Sequence, residues 1–126
     1  MHGSLPGVLT FRLLLAVALV VITYLATAPA DYPPLLDQIS DKLEHLLAFY
    51  GLALLTDFAF RGTDFGLAKA LPLLGYGLLI EFLQSFVPYR DVSLWDLTAD
   101  ALGLIAYGAS VPLLRRTPLL TARWSA

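Results

Sequence analysis

The chain has 126 residues, 58% of them hydrophobic and only 14% charged, with a formal net charge of −2. A soluble globular domain carries nearer a quarter of charged residues, so this shortfall, a mean hydropathy of +0.73 and long apolar runs indicate a small membrane protein. No basic run is dense enough for nucleic acid, and the absence of cysteine excludes disulfides, thiolate metal sites and cysteine nucleophiles.

The first apolar run covers residues 8–28. Arg12 ahead of it and Ala26-Thr27-Ala28 at its end resemble a signal peptide with its cleavage site. The positive region is thin, however, and Pro29 directly after the cut disfavours cleavage, so an uncleaved transmembrane helix is expected. Pro29, Pro33 and Pro34, with Asp31 and Asp37, then predict an interfacial loop. A second helix over 42–60 follows, capped by Ser40 or Asp41, whose short side chains can accept from free N–H groups. Arg61-Gly62-Thr63-Asp64 reads as a turn, 67–87 as a third helix and Pro88-Tyr89-Arg90-Asp91 as a third loop. Ser93 is placed to cap a fourth helix over 94–114.

Each run is about 20 residues, which rise about 30 Å as a helix and match the hydrocarbon core. The expected fold is therefore all-α: one domain over 1–126, a membrane-embedded four-helix bundle running up-down-up-down. One side collects Arg12, Arg61, Lys69, Arg115, Arg116 and Arg123 and the other only Lys42 and Arg90, which predicts both termini in the cytoplasm. Tyr89 and Trp95 suit an outer interfacial belt, and Trp124 an inner anchor.

The informative residues are the polar ones inside these runs, because an ionisable group at a helix centre costs roughly 3 kcal/mol on insertion scales and marks function by default. His45 falls about one turn inside the outer end of the second helix. Glu81 lies roughly 9 Å below the outer end of the third, with Gln84 about half as deep. Asp96 and Asp100 occupy the first two turns of the fourth. Only Asp57 is at the other end, where it is expected to reach the cytoplasmic interface. The faces agree too: Gly77, Glu81 and Gln84 form one stripe; Asp96, Asp100, Gly103 and Tyr107 form another; Asp41 and His45 share a face. Turned inward, these stripes predict a polar pocket at the outer surface, with Glu81 facing Asp96 or Asp100 and His45. Lys42 and Arg90 stand at its rim to hold an anionic group, and Gln84 lines the same binding surface. Each member also has a bland role: capping for Asp96, snorkelling for Lys42, or an ion-paired network that merely fixes helix packing.

At these residues the chain resembles the VanZ-like family of small bacterial membrane proteins. Asp41-Lys42-Leu43-Glu44-His45 is similar to that family's DKxxH. Glu81-Phe82-Leu83-Gln84, followed by Pro88, Arg90, Ser93 and Asp96, is similar to its ExxQ…PxR…S…D run, and Asp96 to Gly103 resembles DxxANxxG. Phe49 stands where the family often has tyrosine, and Asp100 where asparagine is usual, which adds a negative charge. The resemblance implies a multi-pass protein of the bacterial cytoplasmic membrane, and some members are associated with resistance to glycopeptide antibiotics.

Three functions are expected to compete. The first is binding or modifying an anionic, lipid-linked cell-envelope molecule, with an apolar tail on the helix faces and a link to glycopeptide tolerance. The second is a membrane enzyme acting on a lipid phosphate. There His45 or Glu81 serves as general base, or His45, Glu81, Asp96 and Asp100 hold a divalent cation that binds the phosphate. The third is a structural membrane subunit.

Overall fold

A computed structural model describes residues 5–28, 34–87 and 93–124, with side chains in the second helix described from residue 41 onward. Four α-helices follow one another, α1 (Val8–Thr27), α2 (Pro34–Ala59), α3 (Leu67–Gln84) and α4 (Leu94–Arg115), and a 3-10 turn closes the chain at Thr121–Trp124. Among the described residues there is no strand. Arg90 and the loop assigned to 88–91 lie outside the described residues, as do the prolines at 29 and 33.

Helix α2 begins eight residues ahead of the expected start. Pro34 is its first residue, a position where the missing N–H would be unpaired anyway and the fixed φ favours the helix. Ser40 and Asp41 therefore sit inside α2 rather than capping it. Ser93 does cap α4: its hydroxyl accepts from the Trp95 N–H at 3.1 Å. Helices α3 and α4 carry Pro72 and Pro112 within them.

Helices α1, α3 and α4 are long and apolar enough to cross a membrane. Helix α1 buries only Phe11 against the rest of the protein and exposes Leu9, Leu13, Leu14, Val17, Val20, Val21 and Leu25. A helix apolar on every side with so little of it covered is built for lipid rather than water. Helix α2 is the opposite case. It carries more charged residues than any other helix and the largest share of the core, with Phe49, Leu52, Ala53, Phe58 and Ala59 buried. Phe49, Leu52 and Ala53 pack with Leu73, Leu104 and Tyr107 of α3 and α4.

The approach of α2 to α4 is set at Gly103. A Cβ there would run into the Leu46 carbonyl oxygen and lie 3.0 Å from the Tyr50 backbone nitrogen, so the two backbones touch where a side chain would hold them apart. That close contact brings the early part of α2 alongside the early part of α4. The end of α3 joins them, and both polar groupings of the molecule follow from this arrangement.

Candidate functional site

Where α2 and α4 begin and α3 ends, His45, Glu81, Gln84, Asp96 and Asp100 are all buried, and Asp41 is half-buried beside them. The helical stripes read from the sequence account for this: Gly77, Glu81 and Gln84 are the buried face of α3, and Asp96, Asp100, Gly103 and Tyr107 that of α4.

His45 and Asp100 form a short buried contact, Nδ1 to Oδ1 at 2.6 Å. Asp100 reaches it across Gly77, where a Cβ would fall 2.6 Å from Asp100 Oδ2. Asp96 Oδ1 accepts from the Lys42 ammonium at 2.5 Å. Asp41 lies 3.8 Å from that ammonium and 3.9 Å from His45 Nε2. The Glu81 carboxyl sits within hydrogen-bonding range of the Asp96 side chain and accepts from the Ser93 backbone. Asp41 stands just ahead of the apolar part of α2. Burial, and then the charge of Asp96, push its carboxyl up to about 6.

Four buried oxygens at this end, Glu81 Oε1, Gln84 Oε1, Asp96 Oδ2 and Asp100 Oδ2, have no hydrogen-bond partner among the described residues. All four are acceptors. Gln84 keeps this assignment because its amide nitrogen is engaged, donating to the Ala26 carbonyl at 3.0 Å. Leaving such groups unmade costs about 1–3 kcal/mol each, so the cluster is arranged for a donor or a cation.

Lys42 stands differently from its expected role. Its ammonium is held by Asp96 and so balances a carboxylate instead of standing free for an anion. A cavity of about 390 Å³ opens next to the cluster, within the roughly 300–1,000 Å³ of small-molecule sites. Asp41, Glu44, His45 and Gln84 form its polar part. Its remaining wall is mostly apolar, from Ile22 and Leu25 of α1, Leu47 and Phe49 of α2 and Ile80 of α3.

The opposite end of the bundle carries a grouping that sequence reasoning missed. Asp57 does not reach an interface; it is wholly buried. Its Oδ1 accepts from Lys69 at 2.8 Å and from Arg123 at 2.7 Å, and its Oδ2 from the Tyr107 hydroxyl at 2.6 Å. Lys69 spends its other two donors on the carbonyls of Phe60 and Thr63. Arg123 donates further to the carbonyls of Asp57, Arg61 and Thr63. The buried Asp57 carboxylate thus holds the closing turn of the chain against α2. Trp124 packs edge-on against Phe58 there, 5.5 Å between ring centroids, and is not a free interfacial anchor. Trp95, by contrast, is exposed.

The chain is 36% identical, over a 93-residue alignment, to an uncharacterized protein of Schizosaccharomyces pombe; the match covers 69% of this chain and 53% of the relative. The chain thus spans about half the length of the curated relative it matches. No family model matches it. No solved structure matches it.

Proposed function

We propose that this chain is a multi-pass membrane protein of the VanZ-like kind that binds a phosphate-bearing lipid. The lipid chain lies in the cavity between α1, α2 and α3, and its headgroup lies at the buried acidic cluster. One observation carries the reading: a mostly apolar cavity of about 390 Å³, room for one segment of a lipid chain, ends on Asp41, Glu44, His45 and Gln84. The order of the three sequence blocks along the chain supports the family reading, since they contribute the residues that meet there. An anionic headgroup cannot face Asp41, Glu81, Asp96 and Asp100 unaided, and Lys42 is already committed to Asp96. A positive group must accompany it, either a bound cation or Arg90, which lies outside the described residues.

The protein runs up-down-up-down in the bacterial cytoplasmic membrane, with both termini inside and the cluster at the outer face. Ser85→Cys, exposed at the end of α3, should react with an impermeant thiol reagent from outside, whereas Asp64→Cys, exposed in the turn before α3, should not. The reverse pattern moves the site to the cytoplasmic face.

The lipid reading is tested with a fluorescent polyprenyl phosphate and the protein in nanodiscs. Saturable binding that Ala48→Phe removes, by placing a ring in the cavity, is the expected result. Equal binding by Ala48→Phe, or preference for a zwitterionic amine lipid, would sink the reading. A second reading, hydrolysis of a phosphate ester, is favoured by the Asp100–His45 pair, which leaves Nε2 available as a base. Release of labelled phosphate by wild type, abolished in Glu81→Gln, would convert the binder into an enzyme.

A further inference from the structure

We infer that Asp41, His45 and Asp96 hold a divalent transition-metal ion, and that Asp100 positions the histidine for it. This rests on the lipid-binding reading only for what the ion then does, namely accept a phosphate oxygen.

The geometry begins at His45. Its Nδ1 is 2.6 Å from a wholly buried carboxylate, and in that contact the Nδ1–H is donated to Asp100. The lone pair is thereby fixed on Nε2. A histidine ligand to a metal almost always donates its other nitrogen in this way, to a carboxylate that orients the ring and raises its basicity. Nε2 then points toward Asp41, whose Oδ1 is 3.9 Å away, too far for a hydrogen bond. One ligand atom each from Asp41, His45 and Asp96 lies within 4.8 Å of the others, a spacing that a shared ion with bonds of about 2.1 Å can bridge after a small closure.

A cluster of acids alone would not suffice, because acids also gather on solvated surfaces. Here the second observation is Asp96 Oδ2, fully buried and unpartnered while Oδ1 is taken by Lys42, with Glu81 Oε1 unpartnered beside it. Two carboxyls as close as Glu81 and Asp96 share a proton or a cation. The charges favour the cation. Among the described residues, Asp41, Glu81, Asp96 and Asp100 face one fixed cation, the Lys42 ammonium, so with His45 neutral for coordination the carboxylates outnumber the cation by three. A divalent ion offsets two of those charges.

An imidazole with two carboxylates suits Mn²⁺, Fe²⁺ or Zn²⁺ better than Mg²⁺ or Ca²⁺, which prefer all-oxygen shells. Three protein ligands leave coordination positions open, as in sites that receive an exogenous ligand rather than closed structural ones. A phosphate oxygen arriving from the neighbouring cavity fits that vacancy in charge and in chemistry.

The test uses the 126-residue chain in detergent, stripped with a chelator and then titrated with Mn²⁺ or Zn²⁺ alone. One saturable site per chain is expected, with Mn²⁺ spin-echo spectra showing coupling to a single imidazole nitrogen. His45→Gln should remove that coupling and weaken binding about tenfold or more, and Asp100→Asn should weaken it by a comparable factor while keeping the nitrogen signal. Asp64→Asn, in the exposed turn, should change nothing. The inference is overturned if well-folded wild type takes up no Mn²⁺ or Zn²⁺, if the bound Mn²⁺ shows no nitrogen, or if His45→Gln binds as tightly as wild type. The spectra need only wild type, so a variant that fails to fold does not protect the idea. Metal uptake without polyprenyl phosphate binding would reject the lipid reading and leave the site standing; lipid binding by a protein that takes up no metal would do the reverse.

Discussion

Helix α2 buries carboxyl groups at both of its ends and treats them in opposite ways. At the Asp57 end, every carboxylate lone-pair direction that matters is met: two cations and a tyrosine hydroxyl converge on one side chain, and all three donors of Lys69 are used. The two loose threads nearby, Thr56 Oγ1 and Trp124 Nε1, are both neutral groups. At the Asp41–His45 end, among the described residues, four carboxyls share one lysine and one histidine, and four acceptor oxygens are left over. Folding alone explains the first arrangement. The second costs stability and offers the fold nothing that an apolar cluster would not offer more cheaply. Residues that a fold retains against its own stability are where binding or chemistry is expected.

The largest effect that would sharpen this contrast is at Asp57. Asp57→Ala leaves the Lys69 ammonium and the Arg123 guanidinium buried, 7% and 4% exposed, without their counter-charge. Breaking a buried pair by removing one partner costs about 3–5 kcal/mol. A marked fall in the unfolding midpoint in detergent is the expected outcome, and an unchanged midpoint would show that this end is not the fastening it looks like.

A smaller loss is expected for Tyr107→Phe. The ring stays packed between Tyr50 and Phe65, at centroid distances of 5.6 and 5.0 Å, and only the hydroxyl bond to Asp57 goes. A hydrogen bond to a charged group is worth about 1.5–3 kcal/mol. Thermal unfolding should place this variant between wild type and Asp57→Ala, with lipid and metal binding at the other end untouched.

The two ends also differ in how readable they were. Residues at helical spacing on three apolar runs, Gly77-Glu81-Gln84 and Asp96-Asp100-Gly103 above all, declare both depth and face, and the structure buries those faces. The apolar lengths similarly predict α1, α3 and α4 to within a few residues. The Asp57 network shows no such periodicity. It draws on α2, α3, α4 and the 3-10 turn, and its two cations are separated from Asp57 by 12 and 66 positions. Lys69 and Arg123 look, one residue at a time, like ordinary interfacial charges. The early start of α2 was hidden by the prolines, which read as loop and in fact include the helix's first residue. Lys42 was recognisable as a charge at the rim. Its partner was not, because Asp96 comes to it only through the Gly103 contact between α2 and α4.

The smallest and most discriminating change is Glu81→Gln. Glutamine keeps an oxygen for the Ser93 backbone and adds an amide donor toward the Asp96 carboxylate, where a second acid now stands. Acid against acid becomes donor against acceptor, so stability should be unchanged or rise by about 1 kcal/mol. Headgroup-dependent lipid binding should nevertheless fall, because one of the negative charges that recruit the cation is gone. Opposite movement of stability and binding is the signature of a site that the fold tolerates rather than needs. A loss of stability comparable to that of Asp57→Ala would instead make the two ends alike, and both would then be fastenings.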